Sequence, residues 1–184
     1  MLASLVHRAQ DGDEEAFVAL AQAVGDRCLA IAYRIVRDLP AAEDAVQNAL
    51  TVAWRELPAL RDPDRFEPWL HRTLVRICYA EAKRRRRDTA ALLSLDTPVS
   101  YGPDEILGVD DREQLERGFG RLPPDQRAVL VFRYYLQLPM SEVATRLGIP
   151  VATARSRLRY GMAGLRAALE ADARPPTPAK ERPA

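Results

Sequence analysis

Apolar residues recur at intervals of three and four along most of this chain, the period of helices that bury one face. Phe17, Leu20, Ala21, Val24, Cys28, Ile31 and Ile35 make one such stripe. Ala42, Ala45, Val46, Ala49, Val52, Ala53 and Leu57 make a second, and Phe66, Trp69, Leu70, Leu74 and Ile77 a third. Alternating runs rich in Val, Ile and Thr, which a half-buried strand needs, are almost absent. The pattern predicts an all-α fold.

Helix signals and breakers divide the chain. Asp13, followed by Glu14 and Glu15, predicts an N-cap with acids at the positive end of the helix dipole. That helix ends near Asp38-Leu39-Pro40, and a second runs from about Ala41 to Leu57. Pro58 and Arg61-Asp62-Pro63-Asp64 predict a loop, with a third helix from Phe66 into the basic run Lys83-Arg84-Arg85-Arg86-Arg87. Pro98, Gly102, Pro103 and Gly108 then fall among Ser, Thr and Asp, which predicts a linker with one short helical turn near Leu92. Leu122-Pro123-Pro124-Asp125 reopens helix, because proline suits the first turn. The expected organisation is two small helical domains, 1–88 and 111–172, joined by a flexible linker at 89–110, with a disordered proline-rich tail at 173–184.

A formal net charge of +1 argues against a general polyanion binder, but positive charge is concentrated locally, in 83–87 and in Arg155, Arg157, Arg159 and Arg166. Cys28 and Cys78 sit in apolar helical patterns and read as buried thiols. No apolar run approaches the ~20 residues of a membrane span, and the acidic N-terminal region is no signal peptide, so a cytoplasmic location is expected. His7 and His71 have no partner set for a metal or a catalytic triad, and the glycines form no phosphate loop. An enzyme reading therefore has little support, and no metal or cofactor is expected.

Residues 140–158 carry the clearest motif. Ser141 is positioned to cap a short helix bearing Val143, Ala144 and Leu147; Gly148 ends it, Ile149 plugs the angle, and a second helix opens near Pro150. This is the layout of a DNA-binding helix-turn-helix. On the second helix Val151, Ala154, Leu158, Gly161 and Leu165 should face the core, which leaves Ala152, Arg155, Ser156 and Arg159 outward near the N-terminus, where side chains reach base edges. An arginine fork can bond both acceptors of a guanine. Thr153 and Arg157 lie to the side, toward backbone phosphate.

The N-terminal half decides the class. Residues 42–54, with Glu43-Asp44 and Gln47-Asn48, resemble the core-binding helix of bacterial sigma factors, and 66–76 resemble the promoter-melting segment that follows it. The basic run, Leu122-Pro123-Pro124-Asp125-Gln126-Arg127 and the helix-turn-helix then follow in the family's order, over roughly residues 5 to 170. With two domains and a short linker, the chain is most similar to the extracytoplasmic-function (ECF, group IV) sigma factors of the sigma-70 family.

The resemblance implies that Glu43, Asp44, Gln47 and Thr51, beside a buried Trp54, dock on the β′ clamp of the RNA polymerase core. It implies that the loop 60–65 and the exposed side of the third helix, His71, Arg72, Val75 and Arg76, meet the opened promoter strand, while Lys83, Arg84, Arg85, Arg86 and Arg87 hold phosphates. Phe66 and Trp69 have core spacing instead. Promoter DNA, core polymerase and an anti-sigma factor are the implied partners. Arg76 stands where the family often has asparagine, and Asn48 where it commonly has an acid. The alternative is a stand-alone helix-turn-helix regulator, which would bind its promoter without polymerase.

Overall fold

The structure, a computed structural model, describes residues 2–91 and 109–172. It contains helices and no strand among the described residues. The predicted turn near Leu92 and the 173–184 tail lie outside them.

The first helix, α1 (Leu2–Gln10), was not anticipated; it buries Val6 and Ala9. Helix α2 (Glu14–Val36) starts where predicted, with the Ala16 N–H donating to Asp13 Oδ1 at 2.9 Å. It is long and apolar enough to cross a membrane by length and composition, contrary to the sequence expectation. Here Leu20, Val24, Cys28, Ile31 and Ile35 line the protein core. It stops at Arg37, whose φ of 66° is left-handed, and Asp38 at once caps α3 (Leu39–Glu56) by accepting from Ala41 N–H at 2.9 Å. A two-residue connection thus folds α2 and α3 into a tight pair. The inner face of α3 is almost entirely alanine (Ala41, Ala42, Ala45, Ala49, Ala53), so its neighbours approach its backbone closely.

Two short 3₁₀ turns (Leu57–Ala59 and Pro63–Arg65) lead into α4 (Phe66–Ala91), which continues slightly past the expected linker boundary. Phe66, Leu70 and Leu74 of the predicted stripe are buried, and so is Cys78, read as a buried thiol; Trp69 and Ile77 are only partly buried against the core. His71 and Val75, expected on the exposed side, are 2% and 1% exposed. They form a second stripe beside the first, and α4 also packs against the C-terminal half of the chain. A helix held from two directions buries two adjacent rows.

In the second half, α5 (Val109–Gly120) precedes α6 (Pro124–Leu130), which begins with Pro124 at its first turn as predicted. A π-helical segment (Val131–Tyr135), unsuspected from sequence, continues α6 and closes with Leu136 N–H on Val131 O at 3.1 Å. Helix α7 (Met140–Leu147) is preceded by Pro139, not capped by Ser141; Ser141 lies inside it, its carbonyl accepting from Thr145 Oγ1. Gly148 ends α7 at φ 67°, and Ile149 N–H returns to Ala144 O at 3.0 Å. Helix α8 (Val151–Asp172) follows. The two helical bundles share one buried apolar cluster, in which Phe132, Val143 and Leu147 join residues of α2 to α4.

Asp38 couples the cap of α3 to α4 through an ion pair with Arg85 at 2.6 Å. Burial pushes its carboxyl up, but the Arg85 guanidinium and the Ala41 amide outweigh it and hold it below the usual carboxylate value. Replacing Asp38 by alanine should cost about 1 kcal/mol in urea denaturation at pH 7, chiefly through the lost cap. The difference from the parent should shrink as pH falls below the ordinary aspartate range, where the parent's carboxylate is protonated too.

Candidate nucleic-acid and polymerase interfaces

Helix α8 leaves Gly148 at an angle set by the left-handed turn. Ala154 and Gly161 are buried and Leu158 and Leu165 half-buried, so most of the predicted core stripe faces inward. Val151 is a correction: at 37% exposed it stands at the open first turn, before the helix reaches α6 and α7. Ala152, Arg155, Ser156 and Arg159 are exposed, and Thr153 is half-buried. Arg157 pairs with Asp125 of α6 at 3.1 Å, its side chain only 27% exposed. Tyr160, which sequence reasoning passed over, flanks the arginines: the Arg159 guanidinium lies over its ring at 5.0 Å.

On α3, Glu43, Asp44, Gln47, Asn48 and Thr51 form one exposed polar face, with Thr51 Oγ1 donating to Gln47 O at 2.9 Å. Trp54 was expected to be buried and is 40% exposed. It lies seven residues after Gln47, on nearly the same line of the helix, and its ring meets Phe17 of α2 edge-on at 4.8 Å. Its spacing from Gln47 sets it on the outer side of α3, away from the buried alanine row. The polar face thus has an exposed aromatic end.

On α4, Arg72 and Arg76 are exposed, and so are Lys83, Arg84, Arg85 and Arg87. The Arg86 side chain lies outside the described residues. Arg84 is held by Glu81 through two contacts, at 3.0 and 2.8 Å, and Arg85 by Asp38, so part of the basic run is neutralised locally. His71, Val75 and the Arg72 guanidinium are not presented to solvent as a single face. Arg72 Nη2 donates to Thr145 O of α7 at 2.9 Å, and Arg146 Nη1 lies 2.8 Å from His71 Nδ1.

Residues 20–88 match sigma-70 region 2, and residues 112–163 match sigma-70 region 4. The ECF RNA polymerase sigma factor SigK of Mycobacterium sp. (strain KMS) is 30% identical over 169 residues, 88% of this chain and 87% of that protein. SigL of Mycobacterium tuberculosis (strain H37Rv), another ECF factor, is 32% identical over 167 residues, 86% of this chain and 94% of its own. The chain belongs to the ECF sigma factors. Its fold agrees with that family: the sigma factor RpoE, solved with the anti-sigma factor NepR from Bartonella quintana, superposes with a TM-score of 0.68 at 21% identity, covering 85% of this chain and 98% of that one. This ECF sigma factor gives RNA polymerase its promoter specificity and acts in transcription initiation. Nothing in these matches favours a stand-alone regulator.

Both thiols of the sigma factor are buried, Cys28 and Cys78 alike, and burial pushes each up to about 12. A thiol so protonated is a poor nucleophile. The native protein should therefore react with a thiol reagent at pH 8 at least tenfold more slowly than the urea-unfolded chain. Equal rates in the two states would contradict this packing.

Proposed function

We propose that this ECF sigma factor docks on the β′ clamp of core polymerase through Glu43, Asp44, Gln47 and Thr51 of α3, with Trp54 as an apolar anchor at the end of that face. The support is the exposure of these side chains on one helix surface whose other side is packed alanine. Aromatic side chains bring a large contact area at low entropic cost, so an exposed tryptophan beside a polar patch suits a docking surface. The sigma factor carries no catalysis itself; the polymerase does. We place it in the cytoplasm, where polymerase and promoter are.

We propose that Ala152, Arg155, Ser156 and Arg159 read the upstream (minus 35) element in the major groove, with Thr153 to the side toward backbone phosphate. The observation that carries this is the exposed Arg155-Ser156-Arg159 surface at the start of α8, directly after the helix-turn-helix glycine. Arg157 remains beside this surface as a phosphate contact, but its ion pair with Asp125 also ties α8 to α6. For the downstream element, Arg72, Arg76, Lys83, Arg84, Arg85, Arg86 and Arg87 supply charge along α4; His71, covered by the C-terminal bundle, and buried Val75 add to that face only once uncovered. An anti-sigma factor completes the set of partners; the solved RpoE–NepR complex supports that reading by likeness of fold.

Transcription by holoenzyme from a promoter library tests the recognition face. Alanine at Arg155 or Arg159 should relax preference at one upstream base, at a cost of ~1–3 kcal/mol if the contact is bidentate to guanine. Unchanged preference in both variants would put the reading face on the wrong side of α8. Pull-down with core polymerase tests the docking face. Asp44→Arg and Trp54→Ala should each weaken capture while far-UV circular dichroism stays at the parental value, and parental affinity in both would remove the assignment.

A further inference from the structure

The helix that carries the promoter-strand residues is covered by the helix that opens the DNA-reading motif. Arg146 of α7 reaches across to His71, the π-helical segment places Phe132 edge-on against the same imidazole at 5.5 Å, and Arg72 donates to the end of α7. The Arg72 guanidinium also lies over the Gly148 turn, close enough that a Cβ there would sit 2.9 Å from Arg72 Nε. Farther along the same interface, Arg34 of α2 stacks on Tyr135 at 4.0 Å, and Arg37 pairs with Glu116 of α5. Two bundles expected to be independent are therefore latched by directed contacts.

One of these contacts sets a condition. A guanidinium has donors and no acceptor, so His71 Nδ1 can meet Arg146 Nη1 at 2.8 Å only as an unprotonated acceptor. An imidazolium would point an N–H at a cation. Around the ring stand Arg27 of α2, Glu67 of α4, Tyr135 of the π-helical segment and Arg146 of α7, which line one small cavity, with Glu142 of α7 behind Arg146. Arg27 is bound to Glu67 at 3.1 Å and Arg146 to Glu142 at 3.4 Å, so both carboxylates are engaged by arginines.

We propose that the free sigma factor closes on itself through this latch, covering part of the promoter-strand face of α4 with α7, and that protonation of His71 opens it. The proposal rests on the reading of α4 as the strand-binding helix only for what is hidden; the latch itself stands on the contacts. The direction follows from linkage. Burial, then the charges of Arg146 and Arg27, lower His71 in the closed form to about 3. In an open form the imidazole returns toward its ordinary value near 6.5. The open state thus binds the proton more readily between those values. Closure is fully favoured above about pH 6.5 and loses ground as pH falls toward 3. From pH 7.5 to 5.5 the open-to-closed ratio rises about tenfold.

Single-molecule energy transfer on the full chain reads that ratio, with dyes on cysteines introduced at the exposed Glu56 and Ala163; the native thiols are buried. The expected result is a roughly tenfold rise in the open-to-closed ratio from pH 7.5 to 5.5. His71→Asn offers a neutral acceptor near the Nδ1 position and should abolish the rise. Should that variant not fold, His71→Gln, which also takes up no proton in this range, should abolish the rise as well. Where the closed form dominates throughout, the same tenfold change appears as about 1.4 kcal/mol of lost stability in urea for the parent alone. A ratio and a stability that do not respond to pH, or variants that respond like the parent, would overturn the latch. Binding of a single-stranded promoter oligonucleotide to the opened chain checks what is covered. Opening without any gain in binding would leave the latch standing and overturn the masking of a strand-binding face.

Discussion

Helix α4 is buried along two adjacent rows, and the rest of the molecule is arranged around that fact. One row, Phe66, Leu70, Leu74 and Cys78, packs into the N-terminal bundle; the neighbouring row, His71 and Val75, is covered as well, and at His71 the cover comes from the C-terminal bundle. The alanine face of α3 allows the first packing, because its small side chains let α2 and α4 pack against it. The π-helical segment contributes to the second by carrying Phe132 and Tyr135 toward α4 and α2.

The cost of that second packing is a polar group in an apolar place. His71 is tolerated because it stays neutral and because Arg146 satisfies its Nδ1. Arg146 is itself partly buried and leans on Glu142, and its Nε has no partner. Such a contact is specific in direction and modest in strength, as suits the reversible latch proposed above. The charged surfaces nearby follow the same economy. Arg84, Arg85 and Arg157 each have an acidic partner within the fold, so a phosphate would compete with a carboxylate for them.

The faces proposed to read DNA and to dock on polymerase are built differently. On α8 the outward side chains are arginines spaced one turn apart, with Tyr160 beside Arg159. On α3 the face is acidic and amide-rich, and it ends in Trp54 supported by Phe17. A polyanion and a protein clamp ask for these two chemistries, and the fold holds them on separate helices with their apolar sides turned inward.

The sequence by itself determined the helical class, the caps at Asp13 and the proline start of α6, the glycine turn of the recognition motif, and the polar faces of α3 and α8. All of these depend on local period and capping, and each residue's neighbours along the helix decide them. It also carried the family, through motifs in a fixed order. Trp54 was legible too, since its seven-residue spacing from Gln47 sets it on the outer face of α3; its apolar bulk alone suggested a buried place. The sequence misplaced Ser141, because Pro139 took the cap position. It put His71 and Val75 outside, because period alone allots one buried face to a helix, and a second face becomes buried only when a distant part of the chain arrives. Arg157 and Asp125, Arg146 and His71, Arg72 and the Thr145 carbonyl are separated by 32, 75 and 73 residues, and only the tertiary structure decided those contacts, since no local preference encodes a partner that far along the chain.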